Sequence, residues 1–349
     1  MKKIICVGSA TRDIYLNVKI DDRQSGKICL EAGSKIYTDG YRETVGGGAV
    51  NVGAGLRKLG YRSFVFARTD KSTVGKWIQK QIGKLKLKKN YMQQNGGVPS
   101  ETSIVVADAV EQDRTILRSG DSVENFNLTK ACKRFRESVD WIYLSSQKAN
   151  HLENMDILIN FANEKKARIA FNPSSYQIEN NPEEVLSRLN DINILFINLD
   201  EAVSLLGEDI AVYRDEENIV VQERVEELLG KLLEFGVKLI ALTDGVNGAW
   251  VAGRVKGENV VFYLPAEEIA EVADTTGAGD AFVSGFLATF IIDEQELEMS
   301  FEEKMQRALA GGLANSSSVI TEVGATNGLL KPSKLKRKRK NILQKIVKL

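Results

Sequence analysis

The 349-residue sequence contains few of the residues on which several common kinds of active site depend. It has one histidine, His151, which excludes Ser-His-Asp triads and zinc sites built from several histidines. Its three cysteines, Cys6, Cys29 and Cys132, lie far apart without a CxxC spacing, so we interpret them as reduced thiols of a cytosolic protein. The chemistry left to the chain is that of carboxylates and amides.

The sequence also lacks long apolar runs and net charge. No stretch approaches the roughly 20 apolar residues of a membrane span, and the apolar run at residues 4–8 is too short for the core of a signal peptide. Lys+Arg and Asp+Glu each number 47, so no overall charge favours nucleic acid or an anionic membrane as a partner. We therefore predict a cytoplasmic protein without membrane association.

What the chain does have is an alternation of short apolar β-type runs with longer amphipathic segments. This alternation predicts a mostly parallel central sheet covered by helices on both faces. In such folds ligands bind beyond the carboxyl ends of the strands. The predicted strands are 4–7, 63–67, 141–144, 167–171, 194–197 and 238–243, and the predicted helices include 49–59, 74–82, 153–165 and 219–235.

Two segments, 10–43 and about 99–122, interrupt this alternation with β-type patterns that no helix separates. Residues 111–114 are typical of a polar hairpin turn. The two segments are expected either to pair into a small sheet at the edge of the main domain or to form unrelated surface hairpins. A paired sheet would have edges that favour pairing across a homodimer.

The most informative stretch is a glycine-rich turn at residues 274–282, before an apolar run that is typical of a buried helix. Gly277, Ala278 and Gly279 would place backbone N–H groups at the first turn of that helix, where unpaired amides and the helix dipole bind anions. Asp280 would lie ionised beside them, ready to accept a proton from a hydroxyl. The pattern indicates phosphoryl transfer to an alcohol, although an ordinary glycine turn with a dipole-stabilised Asp also fits.

A second glycine-rich run, Gly46, Gly47 and Gly48, leads into another predicted helix with Asn51 in its first turn. Three consecutive glycines cost backbone entropy unless something approaches the main chain closely. A polyol substrate would explain them, since Asn51 offers a donor and an acceptor to a hydroxyl. A tight strand-to-helix connection without a ligand is the alternative.

Together these two runs resemble the signatures of the ribokinase family, the PfkB-type carbohydrate kinases. The sequence from Asp274 to Phe282, DTTGAGDAF, resembles the C-terminal signature, and the GG-x-x-x-N run at 46–51 resembles the N-terminal one. Ribokinases proper usually carry Lys where Gly48 stands, which argues against ribose as the substrate. The resemblance covers roughly residues 1–330 and implies a three-layer αβα sandwich with a small β-sheet lid that closes over the substrate.

The resemblance also implies site residues. Asp280 would be the base and residues 277–279 the anion hole, while Asp13, Gly46, Gly47, Gly48 and Asn51 would bind the substrate. ATP would contact Asn198, Thr243, Gly245, Gly248 and Asn315, Mg²⁺ would lie near Glu201, and a monovalent cation such as K⁺ near Asp274. From the residues alone, Asn198 and Glu201 also fit a helix N-cap with a capping box.

The implied activity is ATP-dependent phosphorylation of a hydroxymethyl group on a sugar. A nucleoside kinase of the adenosine kinase type is the main alternative, because that branch shares both signatures. A non-catalytic sugar-binding relative is the third interpretation, and the intact Asp280 argues against it.

The segment 331–349 differs from the rest in its dense run of Lys and Arg at 334–340. We interpret it as a basic C-terminal tail outside the kinase domain, and favour a solvated extension over a tail that binds nucleic acid.

Overall fold

The computed structural model describes residues 1–18, 23–24, 27–28, 32–108, 114–120, 126–145, 147, 151–215, 217, 219–293 and 298–349. Residues 111–113 of the predicted polar turn lie outside these ranges, as do parts of both predicted lid segments. All statements below refer to the described residues.

The strands, in chain order, are β1 (Lys3–Val7), β2 (Thr11–Val18), β3 (Arg23–Gln24), β4 (Lys27–Ile28), β5 (Gly40–Gly46), β6 (Arg62–Phe66), β7 (Arg68–Thr69), β8 (Gln93–Gln94), β9 (Thr102–Asp108), β10 (Arg114–Ser119), β11 (Trp141–Leu144), β12 (Arg168–Phe171), β13 (Ile194–Asn198), β14 (Leu239–Thr243), β15 (Ala249–Val255), β16 (Glu258–Leu264) and β17 (Val347–Lys348).

The helices are α1 (Gly48–Lys58), α2 (Thr73–Lys84), α3 (Leu128–Arg134), α4 (His151–Lys165), α5 (Ser175–Asn180), α6 (Pro182–Ser187), α7 (Leu199–Leu205), α8 (Gln222–Glu234), α9 (Ala278–Asp293), α10 (Phe301–Val319) and α11 (Pro332–Ile342). Short 3₁₀ helices lie at Leu189–Asp191, Ile210–Tyr213, Gly245–Asn247 and Leu343–Lys345.

The main sheet has the strand order β17-β16-β15-β14-β13-β12-β11-β1-β6. The strands from β6 to β14 run parallel, and β15, β16 and β17 are antiparallel additions at one edge. The mostly parallel sheet predicted from the alternating pattern is confirmed. The start of α8 differs from the prediction by three residues, because Val220 forms a β-bridge with Arg214 before the helix begins.

The three layers follow from the alternation of side chains along the buried strands. In β1, Ile4 and Cys6 join a core beneath α1, α9 and α10, whereas Ile5 and Val7 join a second core beneath α4, α7 and α8. Both faces of a parallel strand are thus buried, as its continuous apolar sequence requires. The site must therefore lie at the ends of the strands rather than on a face of the sheet.

Helix α9 is buried along most of its length and packs between α1 and α10. A Cβ added at Gly285 would lie 2.4 Å from the carbonyl oxygen of Gly311, so glycine is required where α9 crosses α10. Despite its apolar character α9 is too short for a bilayer, and the described helices include none that could cross one. The anchored α9 gives its N-terminus a fixed position beside the sheet.

A smaller sheet, β10-β9-β2-β5, stands beside the main one. Its central pair is β2 and β9, which run parallel with Asp13 opposite Ser103 and Val18 opposite Asp108. The two β-type segments therefore lie in one sheet. We refer to β2, β5, β9 and β10 as the lid sheet. Because β5 extends to Gly46, this sheet leads directly into the first glycine-rich turn.

The interpretation of residues 331–349 as a solvated extension is wrong. Leu335 and Ile342, seven residues apart on one face of α11, are buried in the core that also contains α10. The chain then ends as β17, which pairs antiparallel with β16. Two apolar side chains at helical spacing are enough to fix the segment, although the basic residues around them hide that signal.

Candidate active site

The N-terminus of α9 is formed by a turn that only glycine adopts without strain. Gly277 has φ +80°, and a Cβ there would lie 2.3 Å from the Cβ of Ala325. Its carbonyl accepts the N–H of Ala281, which begins the helix. A Cβ added at Gly279 would meet none of the described atoms within 4 Å outside its own helix, so the space beside this turn is open. The first N–H groups of α9 lie beside this open space, where an anion can enter, although the N–H of Ala278 donates to the carbonyl of Thr275 at 3.2 Å.

Asp280 occupies the first turn of α9 as a half-buried carboxylate. Asn51, in the first turn of α1, donates a hydrogen bond from Nδ2 to Oδ2 of Asp280 at 2.9 Å. Burial raises the pKa of Asp280 to about 6, although the Asn51 hydrogen bond lowers it and the charge of Asp13 raises it further. The two glycine-rich turns thus meet at one carboxylate whose proton affinity suits a base near neutral pH.

Asp13 lies in β2 with its side chain buried. Thr11 donates a hydrogen bond from Oγ1 to Oδ1 of Asp13 at 2.8 Å. Burial raises the pKa of Asp13, while hydrogen bonds from Thr11 and Ser103 oppose that rise. Asp13 lies against Gly46 and Asp280 lies near Gly48, so the two carboxylates flank the same glycine-rich run. We refer to this place, between the lid sheet and α9, as the pocket.

The three glycines at 46–48 are each explained by a close neighbour. A Cβ would lie 1.8 Å from Oδ2 of Asp13 at Gly46, 2.5 Å from the carbonyl of Ser9 at Gly47, and 1.8 Å from Oγ of Ser145 at Gly48. The same Cβ at Gly48 would be 3.7 Å from Oδ1 of Asp280. The glycines let backbone and polar side chains converge on the pocket.

Asn51 contributes one more polar atom to this pocket. Its Oδ1 is buried and has no hydrogen-bond partner among the described residues, whereas its Nδ2 is bonded to Asp280. A buried acceptor without a partner costs free energy that a bound donor recovers. A hydroxyl that binds next to Asp280 would supply such a donor.

A second group of predicted residues lies at the ends of β13 and β14. Asn198 caps α7 in a capping box with Glu201, and burial raises the pKa of the Glu201 carboxyl. Thr243 ends β14, and Gly245 and Gly248 both have positive φ in the following turn. Beside this turn an open cavity of about 700 Å³ is lined by residues that include Asp200, Arg214, Asp244, Gly245 and Asn247.

The side chain of Asn315 is buried in the protein interior, whereas a residue that binds a nucleotide is expected to face a cleft. Its side chain is fully buried in α10, where Nδ2 donates to the carbonyl of Ala281 at 2.8 Å and to Oγ of Ser284 at 3.1 Å. Its Oδ1 accepts the N–H of Leu330 at 3.0 Å. The assignment of Asn315 to the nucleotide is therefore corrected: the amide joins α9, α10 and the segment before α11.

Asp274 links the glycine turn to the loop after α10. Its Oδ1 accepts the N–H of Thr276 at 2.8 Å and its Oδ2 accepts that of Gly324 at 2.9 Å. These bonds hold residue 324 against the loop that carries Gly277. Asp274 lies just before Gly277 in the loop that leads to the candidate anion site. A role for Asp274 in binding a cation stays a prediction.

These features occur in a chain whose residues 1–332 match the profile of the pfkB family of carbohydrate kinases. The chain belongs to this family. As a pfkB-family protein it is a phosphotransferase that acts on an alcohol group, which confirms the reaction class expected from the two glycine-rich runs.

Curated relatives of this pfkB-family chain have different substrates in their names. An ATP-dependent 6-phosphofructokinase of Thermoanaerobacterium thermosaccharolyticum is 24% identical over 285 residues, which cover 78% of this chain and 82% of that protein. A nucleoside kinase of Methanocaldococcus jannaschii is 23% identical over 302 residues, covering 83% of this chain and 84% of that protein. These proteins belong to the same family as this chain, but their similarity to it does not identify its substrate.

Solved structures confirm the ribokinase-like fold. The ribokinase of Giardia lamblia superposes with a TM-score of 0.76 at 17% identity, covering 97% of this chain and 99% of that chain. The fructokinase of Vibrio cholerae O395, bound to fructose, ADP and calcium, gives 0.72 at 18% identity, covering 97% of this chain and 98% of that chain.

The described residues fit a metal ion that arrives with a nucleotide better than a resident metal centre. They contain no group of three or more His, Cys, Asp or Glu side chains placed to hold a metal. The amide oxygen of Asn198 and the carboxylate of Glu201 are hard donors of the kind that Mg²⁺ binds, usually together with waters and substrate phosphates. In this structure the Asn198 oxygen accepts the N–H of Glu201 at 2.8 Å, and a magnesium role for the pair stays a prediction.

Three polar residues around the pocket were missed by the sequence analysis. Ser9 accepts the N–H of Gly48 through its Oγ at 3.0 Å, Thr11 orients Asp13, and Ser145 lies against Gly48. Ser9 and Ser145 come just after the apolar strands β1 and β11, whereas Thr11 is the first residue of β2. For the two serines, the position after a strand end was the signal available in the sequence, since ligands of such sheets bind there.

We expect Asn315→Ala to destabilise the fold without weakening nucleotide binding. The change leaves the Leu330 N–H buried without its partner and removes one of two side-chain donors to the Ala281 carbonyl, which keeps the Ser284 hydroxyl at 3.0 Å. The free energy of unfolding should therefore fall by about 1–3 kcal/mol in urea titrations. The control Asn341→Ala, at an exposed position of α11, should change it by less than about 0.5 kcal/mol. An unchanged stability with a raised KM for ATP would restore the nucleotide role.

Proposed function

We propose that this protein transfers the γ-phosphoryl group of ATP to a hydroxymethyl group of a sugar. The observation that carries the proposal is the Asn51–Asp280 pair, at which two glycine-rich helix starts place a base beside an anion-binding turn. Asp13 of the lid sheet lies at the same pocket. ATP is assigned to the cavity and turn at 243–248 and to Asn198. ATP as the donor is supported by the nucleotides bound in the similar ribokinase of Arabidopsis thaliana and fructokinase of Vibrio cholerae.

In the proposed reaction Asp280 accepts the proton of the acceptor hydroxyl as its oxygen attacks the γ-phosphorus. The new P–O bond forms while the bond to the β,γ-bridging oxygen breaks, and ADP leaves with that electron pair. The amides of Gly277, just before α9, and of Ala278 and Gly279 in its first turn stabilise charge on the transferring group. Positioning and electrostatics supply most of the acceleration in such reactions.

The other residues hold and enclose the reactants. Asn51 fixes the carboxylate and offers Oδ1 to the substrate, and Asp13 accepts hydrogen bonds from further hydroxyls. Mg²⁺, bound by the nucleotide phosphates with Asn198 and Glu201, supplies charge neutralisation there; a monovalent cation such as K⁺ is assigned to the loops beside Asp274. The lid sheet excludes water, which would compete with the alcohol.

A nucleoside is the second candidate acceptor, because the similarity to the Methanocaldococcus jannaschii nucleoside kinase covers 83% of this chain. We also propose that lid sheets pair in a homodimer. Both of its edge strands expose large side chains, Tyr41 on β5 and Ile116 and Leu117 on β10.

The experiment that tests the proposal is an ADP-release screen with ATP, Mg²⁺ and K⁺ across pentoses, hexoses, phosphosugars and nucleosides. The Asp280→Asn protein is assayed in parallel. Turnover on one sugar that disappears in the variant supports the proposal, and turnover on a nucleoside alone selects the second candidate. ATP binding without turnover on any acceptor would favour the non-catalytic interpretation.

The pH dependence should report the ionisation of Asp280. Because a base must be deprotonated and the Asp280 pKa is about 6, kcat/KM should be constant above pH 7 and fall about tenfold per pH unit well below 6. In Asn51→Leu the acidic limb should move to higher pH, since the hydrogen bond that lowers this pKa is lost. A limb that stays in place in the variant, or that lies near pH 4, would contradict the assignment.

A further inference from the structure

The zero net charge of the chain conceals a strong separation of charge. Nine of the 47 basic residues and none of the 47 acidic residues lie in 331–349, which leaves residues 1–330 with nine more acidic than basic side chains. A basic C-terminal region is therefore attached to an acidic body. The structure shows this region as an ordered helix rather than a flexible tail.

Helix α11 holds its basic residues in a fixed array. Leu335 and Ile342 attach one face to the core, and Lys336, Arg337 and Lys340 are exposed on the opposite face at three- and four-residue spacing. Eleven residues of helix span about 16 Å. This length matches about five consecutive phosphates along one nucleic acid strand.

Two further basic residues are exposed at the start of the same helix. Lys331 is the N-cap residue of α11, and Lys334 lies in its first turn. We call Lys331, Lys334, Lys336, Arg337 and Lys340 the α11 basic patch.

Among the described residues, the patch side chains form no ion pair or side-chain hydrogen bond that would explain their charges. Lys338, which is not in the patch, forms an ion pair with Glu267 at 2.9 Å and also bonds Ser317. Like charges on successive turns, and a first turn without an acidic residue, both oppose helix formation. An external anion would relieve this repulsion.

The apolar residues of the segment distinguish between two kinds of anionic partner. Helices that bind membrane surfaces insert an apolar face into the lipid. In α11 the apolar face packs against the protein core, since Leu335 and Ile342 are buried there and Leu343 and Ile346, which follow the helix, pack against the same cluster. We propose that the α11 basic patch binds the phosphate backbone of a nucleic acid strand.

The test is fluorescence anisotropy of the full-length protein with a labelled single-stranded RNA of about 20 nucleotides. With about five phosphate contacts, one for each patch residue, the slope of log K against log salt should be about −3.5, so affinity should fall roughly 100-fold between about 50 and 200 mM KCl. The variant K336Q/R337Q/K340Q keeps Lys331 and Lys334, and it should bind at least about tenfold more weakly at the lower salt, with a slope near −1.4.

The matched control is K76Q/K80Q/K84Q, which removes three exposed lysines from α2. It makes the same change in net charge and should keep the wild-type affinity and slope. Melting temperatures show that both triple variants are folded. The proposal is overturned by equal weakening in both variants, by no RNA binding at about 50 mM KCl, or by binding to phosphatidylserine vesicles without binding to RNA. The assay needs neither ATP nor a sugar, so its outcome is independent of the proposed kinase reaction.

Discussion

Replacing Asp280 by Asn is expected to lower kcat by about 10²–10⁴-fold, the usual range for the loss of a positioned general base. The amide has nearly the same shape as the carboxylate, so the neighbouring Asn51 and the α9 turn should keep their positions. What is lost is the proton acceptor for the sugar hydroxyl. Initial rates of ADP release with the acceptor found in the screen measure the effect.

Thermal stability provides the control for this variant. Burial raises the folded-state pKa of Asp280 above its unfolded value, so the native protein binds more protons between about pH 4 and 6 and its stability rises as the pH falls through that range. Asp280→Asn should therefore melt at or above the wild-type temperature at pH 8, with a difference that shrinks toward pH 4. The exposed substitution Asp191→Asn should change neither rate nor melting. Near-normal turnover in a folded Asp280→Asn protein would refute the role of the base.

The second large effect is expected for Gly277→Ala. The new Cβ would have to enter the space of Ala325 at 2.3 Å with φ +80°, which should cost about 1–2 kcal/mol for the backbone and about 1–3 kcal/mol for overpacking. Because the turn carries the anion-binding amides, a displacement near 1 Å should also reduce kcat/KM about 10²-fold. Urea unfolding and steady-state kinetics measure the two effects separately.

Gly60→Ala separates the backbone cost from the clash. Gly60 also has a positive φ, of +100°, but a Cβ there would meet none of the described atoms within 4 Å. This variant should lose only the backbone contribution and keep its activity per folded molecule. If Gly277→Ala loses no more kcat/KM than Gly60→Ala, the close packing of the turn against Ala325 does not matter for catalysis.

The sheet could be predicted from the sequence because its strands are buried on both faces. In a chain of this composition, a short continuous apolar run such as 141–144 is typical of a buried parallel strand. The predicted ranges agree with β11, β12 and β13 within one or two residues. The glycine-rich runs could be recognised for a related reason, since Gly277 and Gly48 stand where no larger residue fits.

The exceptions are residues whose environment is set by distant parts of the chain. Asn315 follows two glycines in a pattern that resembles a binding site, but its partners Ala281 and Leu330 are 34 and 15 residues away and enclose it. Leu335 looks like an incidental apolar residue among lysines until α10 is placed beside it. Ser145 could not be assigned to the site from the sequence, because its neighbour there, Gly48, lies nearly a hundred residues earlier in the chain.

The last residues of the chain have a consequence for self-association. Val347 and Lys348 pair with Tyr263 and Phe262, and the N–H of Leu349 reaches the carbonyl of Val261 at 3.0 Å. They pair with residues 261–263 of β16 and so shorten the outer edge of the main sheet that another strand could use as a template. Neutralising side chains on α11 keeps this pairing, whereas removing the segment would expose the edge of β16 and should favour edge-to-edge association.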